Sequence, residues 1–235
     1  VLTFPDDSQE KRTKMVTVWL IRHGESEANA GLPTFESATI KLTDKGHQEA
    51  KQVADSFTRQ PSLIVTSPYL RTKQTAEPTI ERFPSAPQSE WLVQEFDYLS
   101  VERRSNTTLE QRRPMAKAYW EKYDPFYVDG EGAESFAAVM SRVQDLQNKI
   151  LHLDKEFVAV FTHRLFMGIF LWSLLTNSVE ISSESIRQAR AFLDSVPTPN
   201  GSIVKLQIKN SDIWTSRIIT SHLSFSTSSE SSVHM

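Results

Sequence analysis

An arginine, a histidine and a glycine stand in a row at Arg22, His23 and Gly24, directly after the apolar run Val16-Thr17-Val18-Trp19-Leu20-Ile21. An imidazole can act as nucleophile or base, a guanidinium offers a fixed fork of donors to a phosphate or carboxylate, and a glycine lets backbone approach a ligand closely. Side by side, these types point to phosphate chemistry on an imidazole. A second histidine, His163, closes a second apolar run, Phe157-Val158-Ala159-Val160-Phe161-Thr162, and an apolar helical pattern follows from Leu165 to Leu175. Arg71 comes shortly after a third run, Leu63-Ile64-Val65-Thr66. It sits in a helix that Ser67 and Pro68 are suited to open as N-cap and first-turn residues, near the positive end that favours anions. Glu95 follows a fourth short extended stretch around Leu92-Val93-Gln94 and could supply a proton.

These groups are far apart in sequence, so only a scaffold that gathers strand ends can unite them. Short, wholly apolar runs read as buried parallel strands, and in open α/β sheets ligands bind beyond the carboxyl ends of such strands. Helical patterns fall near 43–59, 68–81, 135–152, 164–176 and 183–192, and strands near 16–22, 63–66, 157–162, 202–208 and 213–219. That alternation predicts a layered α/β/α architecture, with a mostly parallel central sheet and an antiparallel edge strand. The 235 residues, 39% of them hydrophobic and 23% charged, suit one globular domain with a sizeable core. The expected division is an extension over 1–14, a domain over 15–220 with a lid over 97–130, and a poorly ordered serine-rich tail over 221–235.

Composition narrows the function. A net charge of −3 gives no general attraction to nucleic acid or to an anionic membrane, so neither is expected as a partner. The absence of cysteine rules out disulfides, thiolate catalysis and cysteine-ligated zinc. No run approaches ~18 apolar residues and the polar stretch from Asp6 to Lys14 lacks an apolar signal core, so the expected location is the cytoplasm.

The chain resembles the histidine phosphatase superfamily, the phosphoglycerate mutase-like group. The resemblance runs through Arg22-His23-Gly24-Glu25-Ser26 with Asn29, Leu42-Thr43 with Gly46, and Ser67-Pro68-Tyr69-Leu70-Arg71-Thr72-Lys73-Gln74-Thr75-Ala76. It continues at Glu95, at Gly132-Ala133-Glu134-Ser135 with Arg142, at Thr162-His163 and at Asn200-Gly201-Ser202. It implies that His23 becomes a phosphohistidine, that Arg22, Arg71 and His163 hold the phosphoryl oxygens, and that Glu95 gives and takes the proton. Asn29 and Ser26 would add polar contacts to the phosphate. Two arginines and a second imidazole can neutralise a transferring phosphoryl group, so neither a cofactor nor a metal is called for, and the implied ligand is a small-molecule phosphomonoester or phosphate.

Two places depart from the family pattern. Arg164 stands where glycine commonly follows the second histidine; it either covers the start of the following helix or points into the pocket. Glu49 stands where glutamine is frequent and reads as an exposed helix face. The segment after Glu95 carries Arg103, Arg104, Arg112 and Arg113 among Tyr119, Trp120, Tyr123, Phe126 and Tyr127. Arg103 and Arg104 are candidates for binding a second phosphate or carboxylate, and the other reading is a helix packed by its aromatic face with solvated arginines opposite. Hydrolysis is favoured over a mutase reaction, because Phe96-Asp97-Tyr98-Leu99-Ser100 lacks the tyrosine-glycine and leucine-asparagine-glycine neighbourhood of the mutases. A non-catalytic phospholigand-binding module is the third reading, and retention of His23 and Glu95 speaks against it.

Overall fold

A computed structural model describes residues 15–224. In chain order the elements are β1 (Val16–Arg22), α1 (Asp44–Asp55), β2 (Leu63–Thr66), α2 (Leu70–Arg82), β3 (Gln88–Glu90), α3 (Val101–Arg104) and α4 (Leu109–Trp120). They continue as α5 (Phe136–Leu151), β4 (Phe157–Thr162), α6 (Arg164–Thr176), α7 (Ser183–Ser195), β5 (Ile203–Lys209) and β6 (Asp212–Thr215). The strands form one sheet in the order β3-β2-β4-β1-β5-β6. β3, β2, β4 and β1 run parallel, while β5 pairs antiparallel with both β1 and β6.

Strand alternation divides the core between two faces. Val16, Val18 and Leu20 of β1, with Val158 and Val160 of β4, pack with Val139, Phe170 and Ala189 from α5, α6 and α7. Trp19 and Ile21, with Phe157, Ala159 and Phe161, pack on the other face with Val53 of α1 and Ala76 of α2. Both faces are therefore covered, which is why these strands read as continuous apolar runs. Side-chain caps start several helices: Thr43 accepts from Gly46 N at 3.1 Å and Ser135 from Ala138 N at 3.1 Å. Each such cap contributes about 1 kcal/mol.

Several boundaries shift for identifiable reasons. α1 ends at Asp55, short of the expected 59, because Phe57 turns into the core. α2 starts at Leu70 with Tyr69 as its N-cap residue, and the Ser67 hydroxyl accepts from Tyr69 N at 3.2 Å just ahead of the helix while also lying 2.7 Å from His163 Nε2. The extended stretch expected just before Glu95 is irregular, and the fourth parallel strand is instead β3. β6 stops at Thr215, and Ile219 rejoins the sheet through an isolated bridge to Ile203. The expected disorder does not hold for 221–224, since Leu223 is buried and the His222 Nε2 is 2.9 Å from the Gly201 carbonyl. The extension over 1–14 and the tail from 225 lie outside the described residues.

Candidate active site

Sheet register alone gathers the chemistry. Arg22 is the last β1 residue and pairs with Thr162, the last of β4, and His23 N donates to the Thr162 carbonyl at 3.0 Å. His23 and His163 therefore leave adjacent strands at the same level, with ring centroids 5.1 Å apart. On the far side of β4, Thr66 of β2 pairs with Phe161, which sets Ser67 beside His163. Three strand ends thus deliver His23, His163 and Ser67 in a row.

The contacts of the His23 ring fix its tautomer. Its Nδ1 lies 2.7 Å from the Gly24 carbonyl, which can only accept, so Nδ1 carries the proton and Nε2 the lone pair. Arg71 Nε donates to that lone pair at 3.1 Å. Burial, with the Arg71 and Arg22 charges, holds the imidazole well below its ordinary pKa of about 6.5, so it is neutral at pH 7. Gly24 matters for a different approach from the expected one. A Cβ there would overlap the Gly46 carbonyl, so the missing side chain lets the loop after His23 close onto the first turn of α1.

Around Nε2 stand cations. Arg22 is buried, which lowers its pKa to about 10, and it remains charged; its Nη1 donates to the Thr198 carbonyl. Arg71 is buried too, donates from Nη1 to the Ser37 carbonyl at 2.6 Å and stacks on Tyr69. His163 is fully buried and its Nε2 is 2.7 Å from Ser67 Oγ. Arg22 Nε and His163 Nδ1 are buried with no hydrogen-bond partner among the described residues. An oxyanion would satisfy both, with Nδ1 acting as an N–H donor.

Glu95 is fixed by its backbone neighbours. Its Oε1 accepts from Phe96 N at 3.0 Å, Leu165 N at 3.0 Å and Phe166 N at 3.2 Å, the last two at the start of α6. Its Oε2 takes no hydrogen bond among the described residues, and the side chain lines the same cavity as His23. Arg142 holds the approach to Glu95: it pairs with Glu134 and donates from Nη1 to the carbonyls of Leu92 and Gln94. Arg142 and Glu134, both in stretches that carry the resemblance, therefore hold the segment that bears Glu95.

The remaining candidates divide. Ser26 and Asn29 line the cavity, but Asn29 Oδ1 is occupied by Ser26 N, Ser26 Oγ and Asn200 Nδ2, so it also ties the loop after His23 to residue 200. Arg104 lines the cavity, paired to Asp97 and bonded to Ser37 Oγ. Arg103 does not line it; its Nη1 pairs with Asp129 at 3.1 Å. Arg164 does both things open to it, donating to the Leu193 carbonyl at 3.1 Å and lining the cavity. Glu49 is not on a bare face: its carboxylate accepts from Glu25 N at 2.7 Å, and burial raises its pKa. Tyr119 and Trp120 are buried against Phe96, as the packed-helix reading expected. The cavity, of about 440 Å³, lies within the ~300–1,000 Å³ common for small-molecule sites.

Sequence reasoning gave Ser67 only an N-cap role and gave Thr75 and Asn200 none in the site. Thr75 Oγ1 accepts from Gly24 N at 3.1 Å, and Asn200 Nδ2 donates to the carbonyls of His23 and Gly24 at 3.1 Å. All three lie in stretches that carried the family resemblance, which was the available signal. Ser67→Ala leaves His163 Nε2 without its partner, a loss worth about 1–3 kcal/mol for a buried polar group. We expect kcat to fall about tenfold as the ring loses its fixed tautomer, together with a lowered Tm. Unchanged kcat and Tm would remove Ser67 from the site.

Residues 18–215 match the histidine phosphatase superfamily (branch 1), and the chain belongs to that family. Phosphoglycerate mutase 2 of Saccharomyces cerevisiae is 31% identical over 97 residues, 38% of this chain and 31% of that protein. A probable phosphoglycerate mutase GpmB of an Enterobacter species is 41% identical over 63 residues, 26% of this chain and 29% of that protein. The matches thus span less than a third of the length of these curated relatives. Among solved structures, a putative alpha-ribazole-5'-P phosphatase from Escherichia coli superposes with a TM-score of 0.67 at 18% identity, covering 87% of this chain and 96% of that one. A phosphoserine phosphatase mutant from Entamoeba histolytica, in complex with phosphoserine, gives 0.63 at 19% identity, covering 88% and 99%. At these identities the structural likeness establishes the fold. Among the described residues no helix is long and apolar enough to cross a membrane.

Proposed function

We propose that the protein is a phosphatase that hydrolyses a small phosphomonoester through a phosphohistidine on His23. The observation that carries this reading is the set of the His23 ring, with Nδ1 tied to the Gly24 carbonyl and the Nε2 lone pair facing Arg71. In the first step Nε2 attacks phosphorus, the ester P–O bond breaks, and Glu95 protonates the departing oxygen. In the second, water attacks phosphorus, Glu95 takes its proton, the P–N bond breaks and inorganic phosphate leaves. Arg22, Arg71 and His163 Nδ1 hold the equatorial oxygens, where charge spreads in the transition state. Seven arginines line the cavity against Glu95 and Asp97, which supports charge neutralisation by the protein's own side chains and disfavours a divalent cation.

A mutase would share the first step and return the phosphoryl group to a bound hydroxyl; the local matches to phosphoglycerate mutases favour that second reading. The residues after Glu95 favour hydrolysis. The test is phosphate release from a panel of phosphorylated metabolites, with the alcohol product measured in parallel. One inorganic phosphate per alcohol is the expected result. Recovery of the phosphoryl group on a second hydroxyl, without free phosphate, would establish the mutase instead.

A further inference from the structure

The wall of the cavity that holds His23 also takes arginines from two helices, Arg112 and Arg113 from α4 and Arg164 from the first turn of α6. A count of their partners sets these three apart from the other arginines there. Arg104 is paired with Asp97 and Arg190 with Asp194, while Arg22 and Arg71 surround the nucleophile. Arg112 meets only oxygens of neutral groups, the carbonyls of Thr107 and Thr108 and the Thr34 hydroxyl. Arg164 makes one hydrogen bond, to the Leu193 carbonyl, and its charge reaches Arg22 with a repulsive effect. Neither Arg112, Arg113 nor Arg164 forms an ion pair among the described residues. Of the two carboxylates lining the cavity, Asp97 is taken by Arg104, Tyr69 and Ser37, and Glu95 is held at the start of α6.

Gathering unpaired guanidinium charges in one concave, partly desolvated site costs stability through mutual repulsion, and a bound anion offsets that cost. The phosphoryl group accounts for Arg22 and Arg71 only. The same cavity is lined by the apolar side chains of Phe96, Leu99, Leu109 and Leu165. That is room for a carbon frame with anionic groups at both ends.

We propose that Arg164 and Arg112, with Arg113 at the rim, form a second oxyanion subsite, so that the substrate is a phosphomonoester whose leaving group carries a further carboxylate or phosphate. The proposal rests on the phosphatase reading and adds its substrate class. Arg164 sets specificity because it alone of the three stands on the element that also fixes Glu95, and an anion there is held at a constant distance from the departing oxygen.

Three substrates on one carbon frame test this: propyl phosphate, 3-(phosphonooxy)propanoate and propane-1,3-diyl bisphosphate. The natural sequence is expected to favour one or both doubly anionic compounds over propyl phosphate by at least about tenfold in kcat/KM, the scale of one charge-assisted contact. Preference for the carboxylate or for the bisphosphate identifies the anion. Arg164→Ala and Arg112→Ala are each expected to bring that ratio down about tenfold, mainly through KM, with Arg164→Lys retaining part of it. Arg103→Ala, outside the cavity, is expected to keep both rates within about twofold. Turnover of all three compounds at equal kcat/KM would overturn the subsite and leave the phosphatase reading standing, as would a ratio that survives both alanine variants. No phosphate release from any of the three would overturn both.

Discussion

Replacing His23 by alanine is expected to lower turnover by at least about ten-thousandfold, the scale of losing a covalent nucleophile, while the fold persists. The expectation of a retained fold follows from what the ring touches. Its Nδ1 partner, the Gly24 carbonyl, also accepts from Asn200 Nδ2, and the backbone of His23 stays bonded to Thr162 and Asn200. Only Arg71 Nε loses a partner, and its guanidinium remains anchored on the Ser37 carbonyl. Mixing the unaltered protein with a labelled phosphomonoester and quenching in alkaline denaturant should trap label on protein that acid then releases; His23→Ala should trap none. The unaltered enzyme should also show an unusual acid limit. Because burial and two arginines hold His23 well below the ordinary imidazole value, falling pH protonates Nε2 only well below pH 6.5, and the acid limb of kcat/KM should lie there. A His23→Ala protein working at full rate would end the phosphohistidine mechanism.

What the sequence revealed of this site, and what it hid, follows from the range of each interaction. His23 and His163 were legible because a buried strand has an apolar signature and the first polar residue after it marks the sheet's carboxyl edge. Their adjacency was not, because strand order and the Arg22–Thr162 register are set by packing over more than a hundred residues. Ser67 illustrates the opposite failure. Its local pattern suited an N-cap, and the hydroxyl does accept from Tyr69 N, yet it also serves His163 from the neighbouring strand, a tertiary contact that no local preference shows. In the segment after Glu95, Arg103 and Arg104 differ by one position, and the four-residue α3 gives no periodicity to show which faces the cavity. Asp129 and Asp97 decide it by pairing with one each. The hydrophobic pattern likewise hid Glu49, whose exposure depends on the loop after His23 folding back over α1.

Glu95→Gln should separate the proton's role from the carboxylate's position. Glutamine keeps an Oε1 able to accept from Phe96, Leu165 and Phe166, so the side chain stays where three backbone donors hold it. It can neither give nor take the proton. For an alkyl phosphate, whose leaving oxygen needs protonation, the first step and kcat should fall about 10²–10⁴-fold. An aryl phosphate such as p-nitrophenyl phosphate releases a stable phenolate without help, so its first step should stay fast. Its second step still needs a base for the attacking water. Stopped-flow measurement of Glu95→Gln with p-nitrophenyl phosphate should therefore show a burst of one p-nitrophenol per active site followed by slow turnover, the signature of accumulated phosphohistidine. Propyl phosphate should give no burst, because the step that forms the intermediate is itself impaired. Equal losses on the aryl and alkyl substrates, with no burst on either, would assign the proton to another group; the same variant on both leaving groups thus tests at once whether the carboxylate at the start of α6 acts as acid in the first step and as base in the second.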